Sequence, residues 1–301
     1  MTHIPGYAHD LLTSCPKAGT GGHNWLFRTA RVLHRFMPQE RIALELRDKV
    51  QTCGRIVTER EIKDAVINSL KFAGRTQKAS RRLSFNYKGQ KTESKWPARD
   101  SELVKELSAS GFGLNDLHDL SHLKHKSKRT ATDSVIEILF PDNPWICVGS
   151  SSRRFDTRRR QEWSGMLSDL QFIVPNPMSK KYGLTLNKKP STHCLDNTGD
   201  RSYLVIEFDE GTQNEHAAII YALAQIAPLC LVVLSGGKSL HGWFDVKNSS
   251  TKLQLEFMRH AVSLGADPAT WTRCQFVRMP DGMRDNGKRQ SVIYFNPENV
   301  Q

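Results

Sequence analysis

The sequence predicts an α+β protein: a C-terminal mixed β-sheet domain flanked by helices, preceded by a small N-terminal helical bundle. Three observations predict it. Residues 22–72 carry apolar positions at helical spacing. From residue 131 onward, short β-branched and apolar runs alternate with turn-forming residues. Two hydrophobic strands, one ending in the alternating acids Glu207 and Asp209 and one at Leu229–Leu234, are separated by a helix-length segment. The expected organisation is a helical domain over 1–75, a basic linker with short helices over 76–130, and the sheet domain over 131–301.

Residues 1–20 read as irregular, with Pro5, Gly6, Pro16 and Gly19. Trp25, Leu26, Ala30, Leu33 and Phe36 then line one broad helical face, and Arg28, Arg31 and Arg35 mark a basic side. Pro38 ends that helix. A second helix is expected over Gln39–Lys49. Thr58-Glu59-Arg60-Glu61 has the look of a capping box and opens a third, Glu59–Phe72. Residues 73–100 turn polar and basic. Arg81, Arg82, Lys88 and Lys91 with Phe85 and Tyr87 suit a single strand held by charge and stacking, and a solvated tether reads equally well. Ser101–Ser108 is a short helix. His118, His122 and His125 have metal-ligand spacing, but Lys124, Lys126, Lys128 and Arg129 around them favour a basic patch.

Val135–Phe140 and Trp145–Val148 read as strands separated by Pro141-Asp142-Asn143-Pro144. The densest positive cluster follows: Arg153, Arg154, Arg158, Arg159 and Arg160, with Phe155 and Trp163 beside it. Such a cluster is either a solvated face or a nucleic-acid contact with steep salt dependence; the aromatic neighbours favour the second. Leu170–Val174 is a further strand. Residues 175–200 are loop-rich and carry Lys180, Lys181, Lys188 and Lys189. His193-Cys194 reads as loop rather than half of a zinc site, because no second half is evident.

The segment Tyr203–Val246 organises the rest. Side chains alternate along a strand, so Glu207 and Asp209 are expected on one face and Ile206 and Phe208 on the other. Two carboxylates on one face repel unless a cation lies between them, and hard oxygen donors suit Mg²⁺ or Mn²⁺. Solvated acids on an edge strand are the plainer alternative. Asn214–Ile226 is the crossover helix. Ser235-Gly236-Gly237-Lys238-Ser239 follows the second strand as a tight turn with exposed N–H groups, a charge and two hydroxyls, a place for an anion. It is not a P-loop: Val232 stands where that motif needs glycine, and a strand rather than a helix follows. His241 begins that strand, with Trp243 on the same face. Ser250–Ala266 is an amphipathic helix delivering Asp267, which reads either as a ligand or as a turn-starting aspartate. Strands over Gln275–Met279 and Gln290–Phe295 flank a loop holding Arg284 and Lys288.

These residues resemble the archaeo-eukaryotic primase superfamily, the primase-polymerases. Glu207-Phe208-Asp209 is similar to its acid-x-acid strand. Ser235–Phe244, reading SGGKSLHGWF, is similar to its second motif, with His241 as the nucleotide-phosphate histidine. Asp267 matches its third acid, and Arg278 before Pro280 resembles its arginine–proline motif. The match covers roughly the last half of the chain, and Glu207 departs from the aspartate usual at the first position. The helical N-terminus resembles the small domain that accompanies such enzymes, usually on their C-terminal side. The resemblance implies a primase-polymerase fold and a template-directed nucleotidyltransferase, a DNA primase or polymerase acting in replication of a mobile element, phage or plasmid. It implies two divalent ions, Mg²⁺ or Mn²⁺, on Glu207, Asp209 and Asp267. NTP or dNTP would be held by Ser235, Gly236, Gly237, Lys238, Ser239, His241 and Arg278. A single-stranded DNA template and primer would meet the Arg153–Arg160 cluster, Arg284 and Lys288, and any helicase would be a separate chain. A non-catalytic DNA-binding initiator with a primase-like domain is the competing class.

Composition agrees with polyanionic partners: 43 Lys and Arg against 31 Asp and Glu leave a net charge of +12 over 301 residues. Six scattered cysteines without a CxxC pair suggest reduced thiols in a cytoplasmic protein. No apolar run is long enough to span a membrane, and no signal-peptide core opens the chain.

Overall fold

The computed structural model describes residues 6–17, 22–34, 36–51, 53–54, 56–82, 95–122 and 132–300, with the side chains of 6, 7, 10, 23, 24 and 71–82 excepted. The chain is α+β, with helices packed on antiparallel sheets. The helices are α1 (Gly6–Thr13), α2 (Gly22–Leu33), α3 (Gln39–Val50), α4 (Glu59–Arg82), α5 (Ser101–Ser108), α6 (Leu114–Asp119), α7 (Thr132–Leu139), α8 (Gln213–Leu223) and α9 (Thr251–Ser263). The strands are β1 (Trp145–Ser151), β2 (Arg154–Arg159), β3 (Phe172–Ile173), β4 (Gly183–Leu184), β5 (Pro190–Ser191), β6 (Tyr203–Ile206), β7 (Leu229–Leu234), β8 (Leu240–Asp245), β9 (Val277–Arg278) and β10 (Val292–Phe295).

The main sheet has the order β10-β7-β8-β6. All four residues of β6 and all six of β8 are buried, so both strands are covered on two faces; β6 is wholly apolar, while β8 buries His241 and Asp245 as well. Alternation divides the sheet between two cores. Leu204, Ile206 and Phe244 face α5, α6, α8 and α9. Tyr203, Val205 and Trp243 face the other way. A bulge between Leu229 and Leu231 interrupts the β7–β8 register, and Cys230 and Leu231 consequently share one side.

α8 connects β6 to β7. Thr212 caps it by accepting from the Glu215 N–H at 3.2 Å, and Ala217, Ile220 and Leu223 bury against the sheet. α9 is capped by Ser250, which accepts from the Leu253 N–H. Both match helices expected from spacing, each ending a few residues sooner.

Across the second core lies another four-stranded sheet, β2-β1-β3-β9. α7 packs beside it through Val135, Ile136 and Leu139. This corrects the expected strand at Val135–Phe140. The apolar residues stand at i, i+1, i+4 and i+5, a helical stripe, and a six-residue strand reading missed the period. The Tyr203 hydroxyl donates to the Leu139 carbonyl at 2.6 Å, tying α7 to β6.

α1–α4 enclose a third core around Trp25, Leu26, Leu33, Ile42 and Leu46. α4 runs to Arg82, ten residues past its expected end at Phe72. The basic side of α2 does not all face solvent: Arg28 pairs with Asp119, Arg31 with Asp116, and Arg31 also donates to the Gly111 carbonyl at 3.2 Å. Arg35, Lys124–Arg129 and the aromatic side chains Phe85 and Tyr87 lie outside the described residues. His118 sits on α6 and His122 beyond its end, so no single helix face carries both.

Candidate functional site

Strand register builds the centre of the site. Val205 pairs with Trp243 and Ile206 with Gly242. Continuing that register sets Glu207 across from His241, on the face that Val205 and Trp243 share. His241 Nδ1 lies 2.9 Å from Glu207 Oε2, with side-chain exposures of 5% and 20%. The distance is that of an ion pair without in-line hydrogen-bond alignment.

The strand ends at Ile206, so the two acids leave it rather than belong to it. Phe208 still turns inward: it is buried and stacks on the His216 ring at 4.6 Å with an interplanar angle of 10°. Asp209 is exposed. Gly211, at φ +103°, supplies the left-handed residue that turns the chain into α8.

Asp267 arrives at the same corner by its backbone. Its N–H donates to the Glu207 carbonyl at 2.9 Å. Its carboxylate accepts from the Ala269 N–H at 2.9 Å and caps a short 3₁₀ turn. Of the two roles open in the sequence, turn-starter is the one this conformation displays. Carboxylate oxygens are the donors that hard divalent ions take, and the backbone holds all three acid positions together. Glu207 is turned to His241, Asp267 to the Ala269 N–H and Asp209 to solvent, and among the described residues no group of three or more His, Cys, Asp or Glu is gathered for an ion.

The Ser235–Ser239 turn closes tightly beside this corner. The Ser235 N–H donates to the Ser239 carbonyl at 3.0 Å, and their hydroxyls are 3.1 Å apart. Gly236 has φ +75°, and a Cβ there would stand 3.0 Å from Arg284 Cδ and 3.1 Å from the Arg289 carbonyl oxygen. Glycine is therefore required by conformation and by space. Arg284 Nη1 donates to the Ser235 carbonyl at 3.3 Å, and Gln213 at the start of α8 donates to the Gly237 carbonyl at 3.4 Å. Lys238 and Lys288 are exposed at the rim. Arg278, on β9, has a lowered pKa, chiefly from burial and then from Arg284, against the raising influence of Glu207 and Asp285. Thus Glu207, His241, Arg278 and Arg284 share one electrostatic neighbourhood.

The arginine cluster divides. Arg158 lies over the Trp163 ring at 4.4 Å and bonds Asp156 at 2.7 Å; Arg159 lies over Trp145 at 4.6 Å. Arg160 pairs with Glu137 at 3.1 Å. Arg153 and Arg154 stand exposed at the β1–β2 hairpin tip. His193 bonds the Cys274 carbonyl at 2.7 Å and packs on Phe155 and Phe276, so it is a packed loop residue.

Sequence reading missed two supports of the site. His216, on α8, bonds the Glu210 carbonyl at 2.7 Å beneath the acid loop. Arg99 bonds Glu215 at 2.7 Å and comes within 3.6 Å of Glu210; its guanidinium also packs against Gly265, at the approach to Asp267. His216 sits one helical turn inside α8 and a helix-start reading could have flagged it. Arg99 joins positions 116 residues apart, and no local pattern announces that. Comparison with protein-family models, with curated proteins and with solved structures yields no match to this chain.

Proposed function

We propose that this protein is a template-directed nucleotidyltransferase of the primase-polymerase kind, acting on NTP or dNTP along a single-stranded DNA template. The observation that supports it most is the contact of Glu207 with His241 beside the Ser235–Ser239 turn. A carboxylate, an imidazole and a glycine turn with two hydroxyls stand at the ends of adjacent strands, groups that can orient a triphosphate next to a reacting hydroxyl. His241, Lys238, Ser235 and Ser239 bind and orient the phosphates. Arg278 and Arg284 balance the charge that grows as pyrophosphate leaves. Phosphoryl transfer depends mainly on such positioning and electrostatics. Glu207, Asp209 and Asp267 are the residues that would hold Mg²⁺ or Mn²⁺. When bound, such an ion supplies charge neutralisation at the phosphates and a lowered pKa for the attacking hydroxyl.

A second reading has its own support. The Asp267 carboxylate caps a turn and Asp209 faces solvent, as in a DNA-binding module of this architecture that no longer gathers its acids. One assay separates the two. Protein, Mn²⁺ or Mg²⁺, single-stranded template and labelled nucleotides are incubated with and without primer. Extended primer supports polymerase and de novo product supports primase. DNA retention with no synthesis under either metal leaves the binding module, and shortened DNA means a nuclease.

A further inference from the structure

A cavity of about 610 Å³ opens at the other end of β6 and β8. Its walls come from the residues just before β6, just after β8, the N-terminus of α9 and the segment after Asp267. Arg201 precedes Glu207 by six residues, about 20 Å along an extended chain. The cavity is therefore separate from the acid corner.

Three cations line it: Arg201, Lys247 and Arg273. Arg201 lies 4.3 Å over the Trp271 ring and donates to the Trp271 carbonyl at 2.6 Å. No carboxylate lies in ion-pair range of Arg201 among the described residues. Arg273 donates to the Gly199 carbonyl at 2.8 Å and reaches the fully exposed Asp200 only at 3.8 Å. Lys247 stands 3.5 Å from the buried Asp245 and 5.1 Å over the Tyr203 ring. Burial lowers the Arg201 pKa to about 10, and the like charge of Arg273 adds to that. Two guanidinium groups in one half-enclosed space, bonded mainly to carbonyls, form a fork-shaped donor array. Thr251, the first residue of α9, brings a hydroxyl and the positive end of a 13-residue helix to the same wall. Leu195 and Trp271 make the apolar remainder.

We propose that this cavity is a second binding site, for a phosphate ester of a nucleotide. The phosphate lies among Arg201, Arg273 and the α9 N-terminus, and the sugar or base lies against Leu195 and Trp271. The volume exceeds what inorganic phosphate fills and suits one nucleotide, either free or as one unit of a strand. The site does not rest on nucleotidyl transfer at Glu207 and His241.

The test uses the full chain in EDTA, so metal-dependent chemistry plays no part in the outcome. Deoxyadenosine monophosphate is titrated calorimetrically, and a labelled oligo-dT strand is titrated by fluorescence anisotropy at stepped salt. The variants are Arg273→Gln and Thr251→Glu. The second puts a carboxylate in the first turn of α9, where the helix dipole favours it, so the fold is kept while the site meets its own anion; thermal melts verify both. Each variant is expected to weaken one or both ligands by about tenfold. A loss confined to the mononucleotide assigns a free nucleotide, and a loss for oligo-dT with a shallower salt slope assigns a strand. Affinities of both variants for both ligands within about twofold of the parent overturn the site, as does a parent protein that binds neither.

Discussion

Glu207 and His241 meet at 2.9 Å across the open ends of β6 and β8, although 34 positions of chain separate them. The pair is ionic only when the imidazole carries its second proton. The contact holds both side chains at the corner where the Ser235–Ser239 turn closes.

On the proposed function, replacing Glu207 or Asp209 should stop chemistry rather than recognition. Glu207→Ala and Asp209→Ala are each expected to lower primer extension by about 10²–10³-fold. Retention of labelled single-stranded DNA in a gel-shift assay is the control. Synthesis that survives both substitutions shows that the metal-holding residues are assigned wrongly.

Gly236→Ala should cost stability as well as nucleotide affinity. The position is left-handed at φ +75°, and the new methyl meets Arg284 and the Arg289 carbonyl. A loss of about 1–2 kcal/mol is expected from the conformation alone. Urea unfolding reads it, and an unchanged midpoint would mean that the turn is far softer than its hydrogen bonds suggest.

The arginines at the β1–β2 hairpin should behave as two classes. Arg153→Ala with Arg154→Ala removes two exposed charges and should flatten the salt dependence of single-strand binding by about 0.7 per lost phosphate contact. Arg158→Ala and Arg159→Ala remove groups stacked on Trp163 and Trp145. These should lower thermal stability more than they alter the salt slope, a contrast that paired melting and binding curves resolve.

Acid should destabilise the fold before the carboxylates titrate. Burial lowers the pKa of His34, His193 and His260 from the ordinary 6.5, partly opposed by the Val66 carbonyl, the Cys274 carbonyl and Asp100 respectively. The unfolded chain then binds more protons than the folded one in the window below pH 6.5. Stability is full above that value and falls as pH drops through it towards the lowered folded values. Chemical denaturation at stepped pH measures this, and a flat profile between pH 7 and about pH 5 contradicts it.

Much of the sheet was legible because its strands carry their own evidence. Leu229–Leu234 is a continuous apolar run closed by Ser235 and two glycines, and β7 occupies Leu229–Leu234. The helix between the acids and that run was equally plain. Val135–Phe140 misled because six residues hold too few repeats to separate a period of 3.6 from a strand. In the arginine cluster charge density is visible in sequence, but the stacking of Arg158 on Trp163 and Arg159 on Trp145 and the pairing of Arg160 with Glu137 are not.

The chain's residue order alone determined the apolar strand Leu229–Leu234, the helix before it and the glycine turn after it, and it set an acid, that turn and a histidine within one short segment. Those properties are local, set by side-chain alternation and by glycine sterics. Only the three-dimensional packing decided which partner each charge meets: His241 for Glu207, the Ala269 N–H for Asp267, Asp116 for Arg31, and Trp271 for Arg201. Ion pairs and stacked cations join positions far apart in the chain. Their geometry exists only once the sheet register has brought those positions together.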